Sequence, residues 1–103
     1  MKNKFTRSTY RPLPEGLTIK DSKIHGLGLY AVNHIDAGTQ LGITHHYTVS
    51  NTIRTPLGGF INHSDTPNCY ITVSEQHNVL HTVAPIGAGD ELTVYYRLEL
   101  SND

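Results

Sequence analysis

The apolar residues of this chain occur in runs that are too short for helices. No segment keeps apolar side chains at helical spacing for about ten residues, as an amphipathic helix would. Instead, short stretches rich in Val, Ile, Thr and Tyr alternate with turns that contain Gly or Pro. The sequence therefore predicts an all-β fold of short strands and small sheets, with at most one-turn helices.

A short pattern, I-x-A-G-x-x-L, occurs twice, at residues 35–41 and 86–92. In each copy the Ala-Gly pair predicts a tight turn, and the Leu that follows begins a strand. The repeat is too short to indicate a solenoid. It predicts two similar corners in two related halves of one small domain.

The remaining pattern gives the expected order of elements. Strands are predicted at residues 17–19, 28–32, 45–49, 70–74, 79–84 and 91–96. The polar, proline-containing segment 50–59 is predicted to be a loop, and residues 75–78 a hairpin turn. A one-turn helix is expected at residues 61–64.

The length and charge of the chain predict one domain with an arm. A chain of 103 residues has room for a single modest core. Six Lys or Arg oppose two acids up to Lys23, whereas two oppose seven acids in the remainder. We expect a basic arm at 1–16 and a domain at 17–103. Such arms are more often solvated or packed across another subunit than bound to nucleic acid, so nucleic-acid binding is not expected.

The single cysteine, Cys69, excludes an internal disulfide and a zinc cage built mainly from thiolates. No apolar stretch approaches the ~20 residues of a membrane helix, and the N-terminal residues lack the hydrophobic core of a signal peptide. The expectation is a soluble protein of the cytoplasm, or of the nucleus if the source is a eukaryote or its virus, with no membrane partner.

Three segments carry polar and glycine residues that packing alone does not explain. They read H-G-L-G-L-Y-A at 25–31, G-F-I-N-H-S-D-T-P-N-C at 59–69 and A-G-D-E-L-T-V-Y-Y at 88–96. In this order they resemble the SET family of protein lysine methyltransferases, whose signatures are G-x-G, N-H-S-x-x-P-N and E-L-T-x-x-Y. The middle string is the most specific, because any tight loop can use two glycines. The resemblance spans about residues 17–96.

The resemblance implies a β-clip of small sheets with a knot-like C-terminal segment. It also implies methyl transfer from S-adenosylmethionine to a lysine ε-amine of a protein, a histone or another lysine-containing protein. The resemblance assigns cofactor binding to six residues: His25, Gly26, Leu27, Gly28, Asn62 and His63. Glycines allow close backbone approach to a ligand. The alternative is that the polar residues build an ordered turn and that His63 is structural.

Tyr96 matches the active-site tyrosine at the end of E-L-T-x-x-Y. The resemblance implies that its fixed phenol oxygen orients methyl transfer from the cofactor. The alternative is amphipathic packing, which is expected for at least one of the neighbours Tyr95 and Tyr96.

Other tyrosines are candidates for a substrate channel, because aromatic faces favour a cationic lysine chain and exclude water. The candidates are Tyr47, Tyr70 and Tyr95. Tyr70 lies one place from the usual channel aromatic of the family, which in a strand means the opposite face. Tyr30 is expected to pack in the core.

Seven histidines raise the question of a metal site. His45 and His46 are adjacent and would point to opposite faces of a strand, while His77 and His81 are expected to flank the hairpin turn. No metal site is therefore predicted.

The chain departs from the family in its substrate-binding parts. The insert before the N-H-S segment is short, no cysteine-rich segment follows Tyr96, and Gly59 stands where arginine is common. A closed channel would need a second subunit, so a homo-oligomer, most simply a dimer, is expected. The alternative to an enzyme is a non-catalytic binding or structural module, with or without the cofactor. A third interpretation is a β-clip domain of another function.

Overall fold

The computed structural model describes residues 13–95, and nearly half of these lie in the strands of two four-stranded sheets. The elements in chain order are β1 (Leu17–Asp21), β2 (Leu27–Ala31), β3 (Gln40–Tyr47), β4 (Thr52–Arg54), α1 (Pro56–Gly59), β5 (Asn62–His63), β6 (Cys69–Val73), β7 (His77–Thr82) and β8 (Glu91–Val94). The prediction of an all-β domain with at most a one-turn helix is confirmed.

The first sheet has the order β1-β2-β8-β5. Strand β8 is antiparallel to β2, with Leu29 opposite Leu92, and parallel to β5, with Asn62 opposite Thr93. Each of the three sequence motifs contributes one strand. They are therefore neighbours in one sheet.

The second sheet has the order β4-β3-β7-β6, with antiparallel pairing throughout. Strand β7 alternates, and Asn78, Leu80 and Thr82 are its buried residues. This alternation is the pattern of a strand with one face on the core. Two register shifts interrupt the pairing of β3 with β7.

The two I-x-A-G corners pair with each other. Ile35 and Ile86 form an isolated antiparallel bridge, with reciprocal backbone hydrogen bonds of 2.8 and 2.9 Å. Gly38 and Gly89 stand at equivalent places with φ of +78° and +88°. Only glycine adopts that region readily, so both copies use the glycine for the same turn. The expectation of two similar corners is confirmed.

The core lies between the sheets and beneath α1. Among residues 13–95, ten hydrophobic residues are buried: Leu17, Leu29, Ala31, Leu57, Ile61, Cys69, Leu80, Ile86, Leu92 and Val94. The opposed Leu29 and Leu92 are both completely inaccessible to solvent. Each such leucine contributes about 1.5–3 kcal/mol through burial.

Segment 50–59 is not the loop that its polar composition predicts, since it holds β4 and α1. Thr55 caps α1, accepting a hydrogen bond from the Gly58 amide at 3.3 Å, and Pro56 occupies the first turn. Thr and Pro are favourable at these positions, so the polar residues that suggested a loop start a helix.

Two other expected elements are wrong. Residues 61–64 form no helix, because Asn62 and His63 pair with β8 as strand β5. The hairpin turn also ends earlier than predicted, since β7 begins at His77. His77 and His81 therefore lie four residues apart on one strand and do not flank the turn. Across residues 13–95, no group of three or more potential metal ligands comes together.

Several predictions fall on residues 1–12 and 96–103, which lie outside the described residues. The predictions concerned are the first twelve residues of the basic arm, the role of Tyr96, and the knot-like C-terminal segment. Among residues 13–95, no helix is long and apolar enough to cross a membrane.

Asn68 fastens the turn between β5 and β6 to strand β8. Its Nδ2 donates to the carbonyl oxygen of Glu91 at 2.9 Å, and its Oδ1 accepts from the amide of Thr93, also at 2.9 Å. Its side chain thus pairs with β8 as a neighbouring strand would. Thr93 is buried, so water cannot replace this partner.

We expect Asn68→Ala to lower the free energy of unfolding by about 1–3 kcal/mol, because it leaves the buried Thr93 amide without an acceptor. Urea denaturation followed by circular dichroism measures the loss. Asn33→Ala removes an exposed asparagine and is the matched control, expected to change little. Equal midpoints for the two variants would contradict this role for Asn68.

Burial raises the pKa of the Cys69 thiol to about 12. At pH 8 roughly one thiol in ten thousand is then ionised, and the thiolate is the reactive form. We expect the native protein to react with a thiol-specific disulfide reagent orders of magnitude more slowly than the protein in guanidinium chloride. Fast reaction of the native protein would place Cys69 at the surface.

Candidate functional site

A carboxylate at the start of β8 lies where the three motifs meet. Both Glu91 oxygens accept from the hydroxyl of Ser22 at 2.9 Å, and Oε2 also accepts from Nδ2 of Asn62 at 2.9 Å. The Tyr30 hydroxyl donates to the Asp21 carbonyl oxygen at 2.9 Å and lies 3.4 Å from Glu91 Oε1. The carboxylate therefore joins the β1–β2 loop to the Asn-His strand.

The Asn62 amide fastens the G-L-G loop to β5. Its Nδ2 is 3.1 Å from the carbonyl oxygens of both His25 and Leu27, in addition to its bond with Glu91. Two hydrogens serve three acceptors, which fixes the orientation of the amide. Its Oδ1 accepts no hydrogen bond from any described residue. The structure thus brings together His25, Gly26, Leu27 and Asn62, as the sequence predicts.

The loop between β1 and β2 is held by its own first residue. The Ser22 amide donates to the Gly26 carbonyl oxygen at 2.8 Å, and the Ser22 Oγ accepts from the Ile24 and His25 amides at 2.9 and 3.4 Å. Gly26 has a φ of +47°, and a Cβ there would meet nothing within 4 Å. One side of Gly26 is therefore open to a ligand.

Gly28 is required for a different reason. It is buried, and a Cβ at this position would collide with the Glu91 carboxylate and approach Ser22 Cβ to 3.1 Å. The need for glycine here arises from packing within the protein. Its predicted contact with a cofactor stays a prediction.

His63 and Tyr95 lie together. Their ring centroids are 4.8 Å apart with planes inclined at 57°, and His63 Nε2 is 3.0 Å from Asp65 Oδ1. Tyr95 is 53% exposed. The pair joins a residue predicted for the cofactor to one predicted for the substrate channel.

Tyr47 and Tyr70 do not come together. The Tyr47 hydroxyl donates to Asn78 Oδ1 at 2.9 Å, and Asn78 is on the buried face of β7. Tyr70 stacks on His81 with centroids 4.9 Å apart, on the alternate face. The two tyrosines therefore cannot line one wall, although each remains a candidate on its own face.

Two titratable groups near these elements have shifted pKa values. Desolvation, followed by the charge of Glu91, raises the pKa of Tyr30 above 10.0, so that this phenol stays a donor. Burial, with a contribution from Arg54, lowers the pKa of His45 below 6.5. Burial therefore favours the neutral form of His45.

Sequence reasoning missed Ser22 and the central position of Glu91. Glu91 stands inside the E-L-T-x-x-Y motif, so its place in the motif was a signal. Nothing in the sequence identified Ser22 as its partner, because the two residues meet only through the pairing of β1, β2 and β8.

Comparison with known proteins finds two histone-lysine N-methyltransferases that are similar to this chain. The chain is 41% identical over 51 residues to histone-lysine N-methyltransferase SETD1 of Drosophila melanogaster, covering 46% of this chain. It is 28% identical over a 134-residue alignment to histone-lysine N-methyltransferase trithorax of Drosophila virilis, covering 91% of this chain. In both cases the match spans 3% of the relative's length.

The fold is also similar to that of a methyltransferase domain of known structure. The methyltransferase domain of human PR domain-containing protein 2 superposes with a TM-score of 0.65 at 17% identity, over 82% of this chain and 79% of that one. The SET domain family model matches residues 44–97, just over half of the chain. The chain therefore belongs to the SET domain family.

Proposed function

We propose that this protein binds S-adenosylmethionine and transfers its methyl group to a lysine ε-amine of a protein substrate. The observation that carries the proposal is the fastening of the G-L-G loop to the N-H-S strand by Asn62 Nδ2, at 3.1 Å from the carbonyl oxygens on either side of Gly26. Two motifs far apart in sequence thereby form one wall beside an open surface.

The residues present fit the chemistry of this cofactor. S-adenosylmethionine carries an ammonium and a sulfonium, which favour oxygen acceptors. Asn62 supplies an oriented Oδ1 that no described residue occupies, and Gly26 leaves space for close approach of a ligand to the backbone. His63 supplies an aromatic ring beside Tyr95. In this proposal the loop and β5 bind and orient the cofactor.

The cofactor, when bound, supplies an activated methyl group, and the protein holds the reacting groups in position. In our proposal Tyr96 is the catalytic residue, and its phenol orients the incoming neutral amine for transfer. Tyr95, Tyr47 and Tyr70 remain proposed channel residues. The proposed substrate is a histone or another lysine-containing protein, which agrees with the names of the Drosophila relatives.

A second candidate is a non-catalytic module that keeps the fold and the cofactor wall. The reduced segment between β3 and β5 favours it, because this segment holds one three-residue strand and one helical turn. The fold alone does not decide between these functions. The two candidates differ in methyl transfer.

We expect Tyr96→Phe to lower methyl transfer at least about a hundredfold, because removing one preorganised oxygen from the reacting centre has this order of effect. Binding of S-adenosylmethionine should change little, since the hydroxyl acts mainly in the transition state. Transfer from labelled cofactor to histones and to a protein extract measures the first effect, and calorimetry measures the second.

The wild-type protein separates the candidates in the same experiment. Binding with transfer supports the enzyme, and binding without transfer selects the non-catalytic module. No binding would reject the cofactor site. Full transfer by Tyr96→Phe would reject the role of the phenol while leaving the enzyme.

We also propose that the protein works as a homo-oligomer, most simply a dimer. The segment that stands for the longer insert exposes apolar side chains at Val49 and Ile53, and β4 is an edge strand. Exposed apolar groups on an unpaired edge favour association with a partner surface. In this proposal a second copy supplies the wall of the substrate groove that the short segment between β3 and β5 does not build.

Light scattering on the purified protein is expected to give a mass of about two chains or more at micromolar concentration. Ile53→Asp places a charge on the exposed edge strand and should lower the observed mass. Thr52→Asp, on the same strand, is a control for charge alone. A wild-type monomer with full methyl transfer would contradict the proposal.

A further inference from the structure

We propose that Glu91 is the residue that positions segment 22–28, which is the β1–β2 loop with the first two residues of β2, for cofactor binding. The inference rests on the proposed function and adds to it a residue that acts through Ser22 and Asn62 without touching the cofactor. Its carboxylate accepts from both of these side chains at 2.9 Å.

Through Ser22, Glu91 controls the N-terminal end of the loop. The single hydroxyl hydrogen of Ser22 points at the carboxylate, which leaves the oxygen lone pairs for the amides of Ile24 and His25. A serine that lost this acceptor would be free to rotate. The first turn of the loop would then lose its hydrogen-bond acceptor.

Through Asn62, Glu91 controls the C-terminal end. The Asn62 amide nitrogen contacts the Glu91 carboxylate and the carbonyl oxygens of His25 and Leu27. A carboxylate can only accept, so it requires the NH₂ group on its side. Oδ1 of Asn62 therefore points away from the Glu91 carboxylate. In this inference it faces the side on which the cationic cofactor binds.

Hydrophobic burial does not order this loop. Ile24 is 50% exposed and Leu27 46% exposed, and the backbone bond from Ser22 to Gly26 closes a turn within the loop itself. The β1–β2 pairing holds Asp21 and Leu27 at the two ends of the loop. Between these ends, the polar bonds within the loop and to Glu91 and Asn62 supply the fixed geometry. The backbone of Glu91 is itself held, because it pairs with Tyr30 of β2 and its carbonyl oxygen accepts from Asn68 Nδ2 at 2.9 Å.

Glu91→Gln tests this role with nearly unchanged shape. The amide removes the negative charge and one of the two acceptor oxygens, so that the hydrogen bonds from Ser22 and Asn62 must share one neutral oxygen. Asp90→Asn is the matched control, because it removes an adjacent carboxylate while an amide oxygen can still accept from the Gly87 amide. Ser22→Ala removes the donor at one end of the loop and provides a second, independent variant.

We expect the Kd for S-adenosylmethionine to rise about tenfold in Glu91→Gln and in Ser22→Ala, on the scale of one hydrogen bond to a charged group. Transfer at saturating cofactor should stay within about threefold of wild type, because bound cofactor restores the loop. Amide hydrogen exchange should increase in residues 23–27 and not in β3 or β7. Asp90→Asn should match wild type in all three measurements.

The outcomes separate this inference from the proposed function. If wild type binds the cofactor and Glu91→Gln binds equally well, the positioning role is wrong while the function stands. A uniform rise in exchange across the domain would mean a purely structural role and would also overturn it. If wild type binds no cofactor, the proposed function fails, and the role of Glu91 in cofactor binding fails with it.

Discussion

The parallel pairing of β5 with β8 is the contact on which the rest of the structure depends. Parallel neighbours cannot be joined by a tight turn, so the chain must leave the first sheet and return. The excursion between them contains the β6–β7 hairpin, which belongs to the second sheet. This excursion is one of the connections that link the two sheets, and it delivers Asn62 and Glu91 to adjacent strands.

Local sequence patterns predicted much of this fold and left out what depends on distant partners. The short alternating runs gave the strands β1, β2, β6, β7 and β8, because a half-buried strand shows its period directly. The two-residue strand β5 carries no period of its own. Asn62 and His63 take strand geometry because Thr93 and Val94 offer backbone partners. The predicted helix at 61–64 failed for that reason.

The candidate site was predictable to a similar degree. The motifs identified the loop around Gly26 and the strand at Asn62, and these residues do lie together. What was missing was the group that joins them, because Ser22 and Glu91 are separated by most of the chain and meet only after β1, β2 and β8 pair. Gly28 illustrates the same limit. Its glycine looked like space for a ligand, whereas the nearest obstacle to a side chain is the Glu91 carboxylate.

The contact between Gly28 and Glu91 has a consequence for how this domain can diverge. A Cβ at residue 28 would occupy the place of the Glu91 carboxylate, so a larger residue at 28 requires that carboxylate to move away or to be shortened. Among descendants of this sequence, a bulkier residue at 28 should therefore appear together with a shorter one at 91. Such a paired exchange would also remove the acceptor that Ser22 and Asn62 share. Changes at positions 28 and 91 should therefore accompany changes in the loop between β1 and β2.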